Sequence, residues 1–405
     1  MQTRPVWAEI SIERLIHNYR VLRDAAGDAD LIAIVKANAY GHGALRCASA
    51  LEKTGAQWLG VTSVEEGVTV RAVCAARILV MGGVWGKQEA EAAITHQLTA
   101  VVWEAAHLEW LGASAERRGQ SAQSVPVHLE IDTGMARQGV RPADLSMMLE
   151  RLSAAKYLSL EGVMTHFHSP ETMDSGATEM QLERFDAALE TIAARGFRPS
   201  VIHAGNSATL LRAESCGRVA ALAEKHGASA MLRPGLALYG YAPRFDDATA
   251  VTEANALRPV LAWKTRVVSL RTIEPGESAG YCATFHATRS TRLALLPVGY
   301  ADGLNRLLSN RGEVLVRGRR VPIVGRISMD LTIVDVTDVD VVELGDEVAI
   351  IGQQDSEPRS PGAGKSGQIT AYDLADLAGT IPYEVLCGIS ARVPRVTVDS
   401  GDGHA

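Results

Sequence analysis

Lys36 closes an apolar run, Leu31 to Val35, and an ammonium in that position is costly if it stays buried, charged and unpaired. A lone lysine at such a place ordinarily snorkels to water or joins a surface ion pair. Four other runs weaken that ordinary reading, because each ends in polar groups of a matching kind. Val125–Asp132 leads into Thr133-Gly134-Met135-Ala136-Arg137, and Leu160–His166 is followed by His168. Val201–His203 leads into Ala204-Gly205-Asn206-Ser207, and Met231–Arg233 into Pro234-Gly235-Leu236. If the runs end on one face, a lysine, two arginines, histidines and a Gly-Asn-Ser turn converge there. Such a set binds anions and carries an amine.

The elements required for that convergence can be read from the patterning. From about Leu31 to Gly240, β-branched runs alternate with stretches of helical period. Further strands are expected at Gln57–Thr62, Arg77–Met81 and Thr99–Val102. Helices are expected at Ala44–Lys53, Glu65–Val73, Glu89–Thr95, Asp144–Ala154 and Met180–Arg195. In the last, Met180, Phe185, Leu189 and Ile192 form the apolar stripe. Eight strands with intervening helices predict an α/β N-terminal (β/α)8 TIM-type barrel, with an open α/β sheet as the alternative. Past Pro243 the pattern becomes strands joined by Gly, Pro and Asp turns, a C-terminal, mostly antiparallel β domain. It includes a single long strand at Ala262–Ile273 and a helix at Tyr372–Gly379, with Thr370 and Asp373 spaced as a capping box. The expected domains are residues 10–244 and residues 245–405 with 1–9.

In a barrel, chemistry collects at the C-terminal strand ends, and the last two loops commonly hold a phosphate. Ser207 offers a hydroxyl there, while Gly235 and Leu236 offer backbone N–H groups. A lysine beside a phosphate site suggests a Schiff base to pyridoxal 5'-phosphate (PLP). Phosphosugar barrels with a Schiff-base or proton-transfer lysine fit these residues equally well. His166 and His168 share a strand face, but with no clear third ligand a metal is not expected.

Composition closes off other classes. The 405 residues are 47% hydrophobic with a net charge of −7 and no basic run interleaved with aromatics, so nucleic acid is not an expected partner. No apolar stretch approaches the ~18 residues of a membrane span. Glu9 and Glu13 fall where a signal peptide needs an apolar core, and the five dispersed cysteines lack a CxxC, so a cytoplasmic protein is expected. Gly362-Ala363-Gly364-Lys365-Ser366 imitates the end of a P-loop, but Arg359 stands where the leading glycine belongs, leaving a solvated loop over Gln353–Gly367 as the expectation.

Val35-Lys36-Ala37-Asn38-Ala39-Tyr40-Gly41-His42-Gly43 resembles the PLP-lysine signature of alanine racemases. The likeness continues in order through Asp132–Met135, Thr165–Phe167, Asn206–Ala208, Arg233–Gly235, Gly299–Gly303, Gly325–Asp330 and Ile381–Glu384. It implies a fold-type III, PLP-dependent isomerase interconverting L- and D-alanine for peptidoglycan. Lys36 would carry PLP and act as one base, and Tyr281 would be the other, delivered from the partner subunit of a homodimer. His166 would lie on the ring face and Arg233 would bond the pyridine nitrogen, where related decarboxylases place an acid. Tyr40, Ser207, Gly235, Leu236 and Tyr383 match phosphate contacts; Arg137 and the Met329 N–H match contacts to the substrate carboxylate. Glu130 stands where many members carry a carbamylated lysine, and we expect it to pair directly with Arg137. Ala136 replaces a frequent glycine. A serine or broad-specificity racemase and a non-catalytic PLP-binding protein are the alternatives.

Overall fold

The structure, a computed structural model, describes residues 4–172, 176–246, 253–355 and 367–398. The Gly362–Ser366 segment lies outside the described residues. The chain divides into two compact units, Arg14–Ala39 with Gly43–Arg258, and Met1–Glu13, Tyr40–His42 and Pro259–Ala405.

Strand β1 (Val6–Ser11) belongs to the second unit. The first is a closed parallel barrel of β2 (Asp30–Ile34), β3 (Trp58–Val61), β4 (Arg77–Val80), β5 (Thr99–Val102), β6 (Val125–Glu130), β7 (Leu158–Met164), β8 (Val201–Asn206) and β9 (Ser229–Arg233). The ring closes through Asp30 and Leu31 of β2 on Met231 and Leu232 of β9. These short, almost wholly buried strands are the apolar runs of a sheet covered on both faces. Two register shifts interrupt the ladders. Between β6 and β7, Val127 faces Leu160 and His128 faces Gly162, so Glu161 is the extra residue of a bulge. Between β8 and β9, His203 faces Met231 and Asn206 faces Arg233, leaving Ala204 and Gly205 opposite Leu232 alone. Bulges of this kind re-aim side chains.

The expected helices are present, with Ala44–Lys53 as read. In Ala177–Ala194, however, Met180 is exposed, and the buried stripe runs through Gln181, Phe185, Ala188, Leu189 and Ile192. Gln181 is polar yet buried because its amide bonds Thr133 Oγ1, the His166 carbonyl and the His168 N–H. Helices Ile12–Ala25, Ala105–Arg117 and Ala213–Lys225 complete the layer and were not anticipated.

The second unit holds β10 (Leu261–Arg266), β11 (Ser269–Ile273), β12 (Ser278–Ala279), β13 (Phe285–His286), β14 (Thr291–Leu296), β15 (Glu313–Val316), β16 (Arg319–Pro322), β17 (Thr332–Asp335), β18 (Glu347–Gln354), β19 (Gly367–Ile369) and β20 (Arg395–Val398). Its main sheet runs β16-β15-β18-β10-β1-β20, with β19 on β18, and every pairing is antiparallel except β1 with β20. The stretch Ala262–Ile273 is not one strand. It breaks at Val267–Val268, and β11 joins β14 and β17 in a separate sheet. Helix Ala371–Ala378 starts with the expected reciprocal cap, the Asp373 carboxylate accepting from Thr370 N and Thr370 Oγ1 accepting from Asp373 N.

Candidate active site

Lys36 does not end a strand. β2 stops at Ile34, and Lys36 begins a turn in which Ala37, Asn38, Ala39 and Tyr40 all take left-handed backbone angles, with φ of 50°, 54°, 55° and 52°. Each such L-residue costs roughly 1–2 kcal/mol. Bonds on every side offset that cost. Ala39 N donates to the Val35 carbonyl, Gly43 N to the Asn38 carbonyl, and Ala44 N to Asn38 Oδ1 at 2.8 Å. Glu66 holds the other flank, its two carboxylate oxygens accepting from Ala37 N and Thr62 N at 2.6 and 2.8 Å. The turn therefore gives Lys36 a fixed position at the C-terminal rim of the barrel.

Arg233, at the end of β9, is buried with its guanidinium caged by acceptors. Nη2 donates to the Thr165 and Ala204 carbonyls at 2.7 and 2.9 Å and meets His166 Nδ1 at 3.2 Å, while Nη1 meets His203 Nδ1 at 2.9 Å. Burial presses its proton affinity down to about 10, against the pull of Glu130. It stays a cation at any ordinary pH. His166 is held down to about 3 by burial first and then by Arg233, Arg137 and Lys36, so it is a neutral ring among three cations. His168 points elsewhere, bonding Ser169 Oγ at 2.7 Å.

Two short helical N-termini meet beside these groups. Ser207 is buried and starts the short helix Ser207–Leu210, whose first amides at Ala208 and Thr209 are capped by Asn206 Oδ1. Ser207 Oγ accepts from Gly235 N at 2.9 Å and from Ala237 N at 3.3 Å, where the 3-10 turn Leu236–Tyr239 begins. Two helical N-termini thus share one hydroxyl, which suits a phosphate group. Gly205 permits this packing, since a Cβ there would lie 2.6 Å from Leu232 and Thr209 side-chain atoms. The paired helical N-termini, the neutral ring and the caged cation fit PLP.

Glu130 is buried as the strand alternation implied, but its partner is not Arg137. Gln138 Nε2 donates to Glu130 Oε2 at 2.5 Å and to the Met81 carbonyl at 3.0 Å. Burial pushes the Glu130 carboxyl upward, with Gln138, Arg233 and Arg137 pulling it back. Arg137 itself is exposed. It follows Ala136, whose φ of 55° explains why glycine suits that place; Asp132 Oδ1 accepts from Ala136 N and Gly134 N to hold the turn. Gln138 was missed because an uncharged amide next to a substrate-type arginine gives no signal of its own.

In the second unit, the rings of Tyr40 and Tyr383 lie 5.9 Å apart and tilted. Burial, then Tyr383 and Cys387, push the Tyr40 hydroxyl pKa upward. Tyr281 is 69% exposed and Met329 53% exposed. Gly280, just before Tyr281, has a φ of 78°, and a Cβ on it would lie 3.0 Å from Arg326 N. The Met329 backbone presses on Gly299, where a Cβ would come within 2.4 Å of its carbonyl oxygen; that carbonyl accepts from Ala301 N. Among the described residues no group of three or more His, Cys, Asp or Glu could hold a metal ion, and no helix is long and apolar enough to cross a membrane.

Residues 10–243 match the model of the alanine racemase N-terminal domain, and residues 260–397 that of the C-terminal domain. The chain belongs to the alanine racemase family. Alanine racemase of Symbiobacterium thermophilum is 42% identical over 393 residues, 97% of each chain. Alanine racemase from D-cycloserine-producing Streptomyces lavendulae superposes with a TM-score of 0.86 at 33% identity, covering 98% of both chains. A Bartonella henselae alanine racemase with covalently bound pyridoxal phosphate matches at 0.80 and 27% identity, over 98% of this chain and all of that one. The family is PLP-dependent, and its fold is the barrel with a β domain described above.

Proposed function

We propose that this chain is a cytoplasmic, homodimeric alanine racemase that holds PLP on Lys36, interconverts L- and D-alanine by two opposed bases, and supplies D-alanine for peptidoglycan. The caged guanidinium of Arg233 carries the reading. A cation that cannot give up its proton meets a neutral histidine, with two helical N-termini next to it in the fold, which suits a phosphorylated aromatic cofactor with an acceptor nitrogen. PLP, when bound, supplies an electron sink that acidifies the substrate's Cα–H.

The chain's own groups do the rest. Lys36 takes or returns a proton on one face of Cα, and Tyr281 of a partner subunit serves the other. Ser207, Gly235 and Leu236, with Tyr40 and Tyr383, take the phosphate. Arg137 and the Met329 N–H take the substrate carboxylate, a role supported by the exposure of Arg137 and of Met329. The exposure of Tyr281 supports its use by another copy of the chain.

The test is chiral analysis of PLP-loaded protein given L-alanine and, separately, L-serine. D-alanine should form faster than D-serine. Faster serine turnover would make it a broad-specificity racemase, since an apolar pocket rejects an added hydroxyl by only ~100-fold. A borohydride-fixed pyridoxyl adduct on Lys36 with no D-product from either would leave a PLP-binding protein only.

A further inference from the structure

Behind Arg233 the barrel interior contains a line of hydrogen bonds that the proposed chemistry does not use. Arg233 Nη1 meets His203 Nδ1 at 2.9 Å, His203 Nε2 meets His128 Nδ1 at 2.8 Å, and His128 Nε2 meets Glu161 Oε2 at 3.3 Å. Both imidazoles are fully buried. Glu161 lies at the other end of the line, where Arg77 grips both its oxygens at 2.7 and 2.6 Å and stacks its guanidinium 4.0 Å over the Trp58 ring.

The direction of every bond follows from its ends. A guanidinium only donates, so His203 Nδ1 must be the acceptor and Nε2 must carry the proton. That proton meets His128 Nδ1, so His128 too carries its proton on Nε2 and gives it to Glu161, which as a carboxylate only accepts. Reversing either ring would set two N–H groups against each other. Burial is the first cause holding both histidines low, so they are neutral; burial opposes ionisation of Glu161, but the bonds from His128 and Arg77 prevail and hold it down to about 2. The charged groups facing the two rings are Arg233 from β9, Glu161 from β7 and Arg77 from β4.

The backbone is shaped for this line at both ends. The β6–β7 bulge is at Glu161 itself, and the β8–β9 bulge separates His203 from Arg233. Gly162 gives His128 its space, because a Cβ there would lie 2.6–2.8 Å from three atoms of the ring.

We infer that Glu161 is a positioning residue for Arg233, acting from the far end of a polarised line by accepting its last proton, so that no buried N–H in the line is left without an acceptor. This rests on the role given above to Arg233. The test uses PLP-loaded protein labelled with 15N-histidine, with long-range 1H–15N spectra alongside kinetics. Wild type and Arg77→Leu should both show two neutral Nε2–H rings from pH 6 to 9. Glu161→Leu removes the acceptor of the His128 Nε2–H and should shift that 1H–15N resonance, with kcat down about three- to tenfold and KM changed less than about twofold. Glu161→Gln, which keeps the shape and a carbonyl acceptor, should keep the pattern with a smaller fall in kcat. An unchanged His128 spectrum in Glu161→Leu, or the same response in Arg77→Leu, would overturn the inference and leave Glu161 as half of a structural ion pair. Absence of racemisation by wild type would sink the functional reading, while the histidine spectra would still report on the line.

Discussion

The two units hold several of the candidate site residues in different ways. In the barrel, Arg233, Ser207, Glu130 and His203 are all buried, and each has partners within that unit. In the β unit, Tyr281 and Met329 are 69% and 53% exposed, with Gly280 before the one and Gly299 packed on the backbone of the other. A buried charge must be paired, so the barrel's site is built and priced into its own fold. An exposed tyrosine on a glycine-set turn contributes nothing to its own unit. Under the proposed function, the barrel unit supplies the cofactor site and the β unit the tyrosine used by a second copy.

The largest expected effect tests that division directly. Lys36→Ala should reduce racemisation more than ~10³-fold and abolish pyridoxyl attachment, whereas Tyr281→Phe should cost ~10²–10⁴-fold and leave attachment and folding intact. Mixing the two dead variants under subunit exchange should restore roughly a quarter of wild-type activity, since a mixed dimer has one intact composite site. No recovery, with exchange verified, would mean Tyr281 serves its own chain.

Ser207→Ala sharpens the barrel side. It leaves the Gly235 and Ala237 amides without their acceptor, a loss of ~1–3 kcal/mol, and should weaken PLP binding about 5- to 100-fold on titration. A comparable mutation among the exposed groups, Met329→Ala, should leave PLP affinity unchanged.

The smallest effect concerns pH. His166 is held down to about 3 from the usual 6.5, so the unfolded chain binds a proton that the folded one refuses. The folded state is fully favoured above pH 6.5 and loses stability as pH falls through that value toward 3. Glu161, held to about 2 against 4.5, adds stability present above pH 4.5 and lost below it. Melting temperature should therefore start to fall below pH 6.5, and His166→Asn should flatten the first part of the descent by ~2–4 °C. Tyr281→Phe should not alter the curve.

Much of this was legible in the sequence, and for a definable reason. Barrel strands are buried on both faces, so their β-branched runs stand out, and polar residues at their ends mark the rim. Helices Ala105–Arg117 and Ala213–Lys225 were not legible, because part of the buried stripe is alanine, at Ala115 and Ala223, which reads the same inside or outside. The break at Val267–Val268 was hidden because it falls on two β-branched residues between contiguous strands of different sheets. In the site, the charged groups were found and their supports were not. Glu130 was matched to Arg137 through the family resemblance, whereas the fold gives it the amide one residue further on. Gly162 inside a strand was the one available sign that a side chain, here His128, comes close.

The turn after Lys36 has a kinetic consequence. Four left-handed L-residues in a row hold conformational energy that Glu66 and Asn38 restrain, so this segment gains more by opening than the barrel strands beside it. Its amides should exchange with deuterium well before those of β2, although Lys36 is only two residues past that strand's end.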